Sequence, residues 1–135
     1  MTSNVIHRDQ TGFVGKIAVV WLLIGVLLIV GGFDGVAIVF TKYRVEDLAG
    51  NAASEVAIRY KASGKGAEAC QAAVTYVAER DAEAHIPAEG CKIDAGTGVA
   101  TVTVRKVAGT LVAQRLSFTK EYTRVESTES VEPPI

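Results

Sequence analysis

Residues that carry catalysis are scarce in this chain. It has two histidines, two cysteines, one methionine and one tryptophan in 135 residues. His7 lies near the N-terminus and His85 near the end of a predicted helix, and neither has a nucleophile and an acid arranged around it as a triad requires. There is no nucleophile elbow and no phosphate-cradling loop: "GTG" at 96–98 is a hairpin-turn signal, and "GKG" at 64–66 lacks the Walker spacing. Glu79, Asp81 and Glu83 cluster at a helix end, where an exposed acidic turn accounts for them better than a cation site. Only His85 stands between Cys70 and Cys91, too few ligands for zinc. The expectation is a protein that is not an enzyme and uses no cofactor and no metal. Charge of one sign is missing too, with 14 Lys and Arg against 15 Asp and Glu for a net of −1. No basic stripe with interleaved aromatics is present, so nucleic acid is not an expected partner.

What the chain does have is one long apolar run. From Ile17 to Phe33, "IAVVWLLIGVLLIVGGF" carries no charged side chain, and "DGVAIVF" extends the run to Phe40. A helix over 17–40 is about 36 Å long, enough for a hydrocarbon core of about 30 Å. Trp21 and Tyr43 fall roughly 33 Å apart on it, the spacing of two interfacial aromatics. A cleaved signal peptide has a shorter apolar core, of about 7–15 residues, followed by a small-residue site. Here the nearest such site, "GVA" at 35–37, directly follows an acid, so a retained single-pass anchor in contact with the lipid bilayer is expected.

Flanking charge does not orient this anchor: Arg8 and Lys16 precede it, Lys42 and Arg44 follow it. Cys70 and Cys91 do. A lone cysteine pair in a small extracytoplasmic domain is read as a disulfide, worth about 3 kcal/mol for a loop of this length. The alternative is two unrelated buried thiols in a cytosolic domain. The first reading places the N-terminus in the cytoplasm and the C-terminal part outside.

Beyond Phe40 the helical period continues. Val45, Leu48, Ala49, Ala52, Ala53, Val56 and Tyr60 recur at three- and four-residue steps, an apolar face made largely of alanine that ends near "SGKG" at 63–66. A second helix is predicted over 67–84, with Cys70, Ala73, Val74 and Val77 inward and Pro87 as its stop. The period then changes to two. A short strand from Cys91 leads into a Gly-rich turn at 95–98 and a strand over 99–107, with Val102 and Val104 on one face. "GTLVAQRLSF" is ambiguous, with a helical turn as one reading, and "TKEYTRVEST" reads as a final strand. The closing "ESTESVEPPI", with three glutamates and two prolines, is predicted to be disordered.

The expected fold class is α+β: a single N-terminal transmembrane helix extending into a pilin-like domain with a second helix and a small antiparallel sheet. The expected divisions are a cytoplasmic segment at 1–16, a membrane helix at 17–40, an extracytoplasmic domain at 41–125 and an acidic tail at 126–135.

Within the apolar run, Asp34 lies close to its outer end, where a carboxylate costs less than the roughly 2.5–3.5 kcal/mol of a central position. Ala18, Gly25 and Gly32 are spaced by seven and Gly31 and Gly35 by four, spacings that let a second helix approach closely. Two readings stay open. One is an assembly face on which Asp34 pairs with a partner's donor; in the other Asp34 touches headgroups and water. On the first, Asp34→Leu reduces recovery of partners without preventing insertion.

The stretch "FDGVAIVFTKYRVEDLAGNAASEVA", 33–57, resembles the TadE/TadG-like proteins of bacterial tight-adherence (Tad) pili. Asp34 and Gly35 resemble that family's acid-glycine pair, Arg44 its basic residue, and "LAGNAASEVA" its Ala-rich run. The likeness extends over most of 12–125. A pseudopilin processing site carries a glycine and, five residues after it, a glutamate; here Gly12 is followed at that distance by Ile17. The resemblance therefore implies a minor or accessory component of a pilus or surface assembly apparatus, held in the bacterial plasma membrane by its uncleaved helix. Its partners would be other membrane or pilus-assembly proteins, met through the transmembrane helix. The competing expectations are an accessory single-pass subunit of a larger membrane enzyme or transporter and, third, an extracytoplasmic ligand-binding module.

Overall fold

The structure is a computed structural model and describes residues 11–135. The first ten residues of the expected 1–16 segment, His7 among them, lie outside the described residues; from 11 onward that segment belongs to the first helix. The elements in order are α1 (Thr11–Ser63), α2 (Gly66–Arg80), β1 (Cys91–Ile93), β2 (Ala100–Val107), a 3-10 turn (Lys120–Thr123) and β3 (Arg124–Val131).

Helix α1 is one uninterrupted rod of 53 residues, about 80 Å long. Its N-terminal part is long and apolar enough to cross a membrane, and none of the most apolar window is buried by the other described residues. Its C-terminal part carries the alanine stripe, and here the expected face is the observed one: Val45, Leu48, Ala49, Ala52, Ala53, Val56 and Ala57 are buried, with Tyr60 half-buried at the end. The helix stops where Gly64 adopts φ +67°, its N–H bonded to the Tyr60 carbonyl at 2.7 Å. That left-handed closing residue is one that glycine adopts without steric cost. Only 64–65 separate α1 from α2, so the two helices form a hairpin.

Helix α2 presents Ala69, Ala73 and Val77 to the core. Val74, expected inside, faces out, and Ala69 takes its place because the inner stripe runs 69–73–77 at four-residue steps. The helix also ends earlier than the predicted 84. Asp81 turns extended (φ −150°, ψ 103°), and its carboxylate accepts the Glu83 N–H at 3.1 Å, a side-chain turn that competes with the helix well before Pro87.

The three strands form an antiparallel sheet in the order β1-β2-β3. Cys91 stands opposite Val102 and Ile93 opposite Ala100; β2 pairs with β3 along its full length, from Ala100 with Val131 to Val107 with Arg124. Beyond β1, His85 and Arg105 exchange backbone hydrogen bonds of 2.9 and 2.8 Å and prolong that edge. Ala100, Val102 and Val104 turn inward against α1. On the outer face Thr101 bonds Ser130 at 2.8 Å, Thr103 bonds Thr128 at 2.7 Å and Arg105 pairs with Glu126.

The acidic tail is thereby corrected. Residues 126–131 belong to β3 and are not a disordered extension. Val125, Ser127, Glu129 and Val131 alternate with the more exposed Glu126, Thr128 and Ser130. Eight paired positions along β2 outweigh a composition that disfavours strands on its own.

Cys70 and Cys91 are disulfide-bonded, with their Cα atoms 5.9 Å apart. The bond fastens α2 to the start of the sheet, beside a core in which most of the buried apolar residues are alanine. The result is an α+β pilin-like arrangement: a long apolar N-terminal helix, a second helix, and a three-stranded antiparallel sheet packed against the first.

Candidate functional site

The buried stripe of α1 does not begin at Val45. It begins inside the apolar run, at Asp34, and continues through the half-buried Ala37 and Ile38 and the buried Thr41 before reaching Val45 and Leu48. Steps of three, four and seven keep these positions on one side of a helix, so Asp34 faces the same way as the core of the domain. Only 6% of its surface is exposed.

What covers Asp34 is the connection between β2 and β3. After Val107 the chain leaves the sheet, and Leu111, Val112 and Ala113 turn their amides toward the carboxylate. The Leu111 N–H donates to Oδ1 at 2.6 Å, and the Val112 and Ala113 N–H groups donate to Oδ2 at 3.0 and 2.9 Å. Three successive amides pointed at one anion form a nest, whose partial positive charges take the place of a basic side chain. The Thr110 hydroxyl accepts the Gln114 N–H at 3.0 Å, and Arg115 N–H bonds the Val112 carbonyl at 2.9 Å. Every amide from Leu111 to Arg115 thus has an acceptor. The far end is tied by the Thr119 hydroxyl, which donates to the Ala113 carbonyl at 2.6 Å, and by Ala108 N–H on the Thr123 carbonyl at 2.7 Å. Thr123 is fully buried and closes the segment before β3.

The acceptors of Asp34 are therefore occupied from within its own chain, 77–79 residues away. The sequence pointed to Asp34 but not to the segment that seats on it. A signal for half of this was present: Asp34, Thr41, Val45 and Leu48 share one helical phase. The other half had none, because backbone amides belong to every sequence and "GTLVAQRLSF" has no period.

The small residues lie elsewhere. Ala18 is exposed, and among the described residues the Cβ positions of Gly25, Gly31, Gly32 and Gly35 meet nothing beyond the helix's own backbone within 4 Å. Gly32 and Gly35 line a shallow apolar groove with Val36, Val39, Phe40 and Tyr43. At 100° per residue this groove centres roughly 180° from Asp34, on the back of α1.

Outside the apolar run, the Lys106 ammonium bonds the Asp81 carboxylate at 2.6 Å, with both side chains about one-tenth exposed, and lies 3.5 Å from Glu83. Burial pushes the Asp81 carboxyl up. The Lys106 hydrogen bond, the Glu83 N–H and the charges of Lys106 and Arg44 outweigh it and hold the group below its ordinary range. "GTG" forms the β1–β2 turn: the Asp94 carboxylate accepts the Gly96 and Thr97 amides at 2.8 and 3.2 Å, and Gly98 has φ +75°. Among the described residues no three His, Cys, Asp or Glu side chains are grouped to hold a metal ion.

Comparison with known proteins returns no family model, no curated protein and no solved structure that matches this chain.

Proposed function

We propose that this chain is a non-enzymatic single-pass membrane protein, a minor or accessory component of a Tad-like pilus or related surface assembly apparatus, working through helix–helix contacts. One observation carries the reading: α1 is a continuous helix whose outer half is the spine of a folded domain, while the most apolar window of its inner half is not buried by any other described residue. Such a helix needs another apolar environment, and a bilayer supplies it. The Cys70–Cys91 disulfide favours an oxidising compartment for the domain, which supports a cytoplasmic N-terminus. The groove at Gly32 and Gly35 has the shape and small residues that suit a second helix. The Tad assignment itself rests on the resemblance of 33–57.

Mass spectrometry of proteins that co-purify with the tagged chain from its own gently solubilised membranes tests the proposal. Recovery of a pilus ATPase, a platform protein or small pilins is the expected result. Recovery of one abundant polytopic complex without them would overturn it and make the chain an accessory subunit of that complex.

A further inference from the structure

The segment seated on Asp34 exposes a series of large apolar side chains. Leu111 is 55% exposed, Val112 40%, Leu116 39%, Phe118 75% and Tyr122 74%. On an ordinary water-facing loop such a series is unfavourable, since each side chain keeps apolar area in water. Its place along α1 gives the reason. Asp34 lies six residues before Phe40, about 9 Å along the helix axis. A hydrocarbon slab of about 30 Å laid anywhere between Ile17 and Phe40 has its outer boundary at residue 37 or beyond. The amides of Leu111, Val112 and Ala113 are bonded to Asp34, so this part of the segment is held just inside that boundary, about 4.5–9 Å from it.

We infer that residues 110–122 form a second membrane contact: an interfacial loop that lays Leu111, Val112, Leu116, Phe118 and Tyr122 into the outer boundary of the same bilayer that α1 crosses. The partner is the lipid surface. The inference rests on reading α1 as a membrane span, because the loop is continuous with that span through Asp34. Two further observations agree with it. Irregular backbone at membrane level must satisfy its polar groups internally, and the amides from Leu111 to Arg115 all do so. Arg115, Lys120 and Arg124 are exposed on the segment and its flank, against one acid, Glu121, a balance that suits anionic headgroups. Asp34 then has a defined task. It supplies the acceptors that a loop withdrawn from water no longer finds in solvent.

The test uses the full chain reconstituted alone into phosphatidylcholine–phosphatidylglycerol vesicles whose acyl chains are brominated close to the headgroup. Trp21 is the chain's single tryptophan and reports on the span. In a Trp21→Phe background, Phe118→Trp and, separately, Tyr122→Trp place an indole on the loop at positions about three-quarters exposed, where the larger ring has room. The expected result is blue-shifted emission from both loop indoles, quenched by the bromines to an extent comparable with Trp21. Quenching of Trp21 with both loop indoles unquenched and water-like in emission would overturn the interfacial loop and leave the span intact. If neither Trp21 nor the loop indoles are quenched, the span reading fails and the loop contact fails with it.

Discussion

A carboxylate in an apolar helical run is tolerated only with hydrogen-bond partners, and Asp34 draws three from one turn of backbone. Charge-assisted bonds to amides are the stronger class, and removing their acceptor leaves three neighbouring N–H groups without a partner. Asp34→Ala is expected to raise hydrogen exchange at Leu111, Val112 and Ala113 by roughly tenfold or more, with β2 and α2 amides unchanged. Asp34→Asn keeps one acceptor oxygen and should fall between the two, measured in the same exchange experiment. Asp81 is a different kind of acid, set by a lysine at the rim of the domain. Its carboxyl is depressed in the folded state, so its contribution is present above the unfolded value of about 3.8 and is lost as pH falls below it. Urea titrations at pH 7 and pH 3 should show Asp81→Asn costing about 1 kcal/mol or less at pH 7 and still less at pH 3. An equal cost at both pH values would remove the charge as the cause.

At the scale of elements, helices were far more legible than the ends of the chain. The alanine face of α1 over 45–60 is visible as a 3.6-residue period, and the period-two run at 100–107 identifies β2, because each pattern states which side is buried. The strand character of 119–128 was legible, but residues 129–131, the end of β3, resisted the same reading. The alternation of β3 is written mostly in Ser, Thr and Glu, and its end becomes a strand only through pairing with β2, a partner set by tertiary structure. The stop of α2 at Asp81 was equally hidden, since it depends on a side-chain turn and a lysine 25 residues further on. The disulfide binds the least extensive strand, three residues long, to α2. Replacing Cys70 and Cys91 together by serine should lower unfolding stability by about 3 kcal/mol, read by chemical denaturation. The loss should appear first as faster exchange in β1 and the start of α2.

For the whole molecule, two faces of α1 differ. One side carries the domain and its seated loop, from Asp34 upward; the other exposes the groove lined by Gly32, Gly35, Val36, Val39, Phe40 and Tyr43. Filling that groove with Gly32→Leu and Gly35→Leu should leave folding intact, since among the described residues nothing beyond the helix's own backbone lies near either Cβ position. On the proposed function the double substitution should cut recovery of partner proteins severalfold in quantitative mass spectrometry. Unchanged recovery would place the contacts on another surface.

The seat of 111–113 on Asp34 also bears on how motion passes between the two halves. A domain joined to a membrane helix by a flexible link swivels freely above it. Here the link is the helix itself, about 80 Å of it, and the Asp34 seat fastens the domain a second time, some 11 residues below Val45. The domain is keyed to the shaft like a vane to its spindle. On the proposed function, a rotation that a neighbouring helix imposes on α1 within the bilayer turns the sheet through the same angle, and a tilt swings it along an arc.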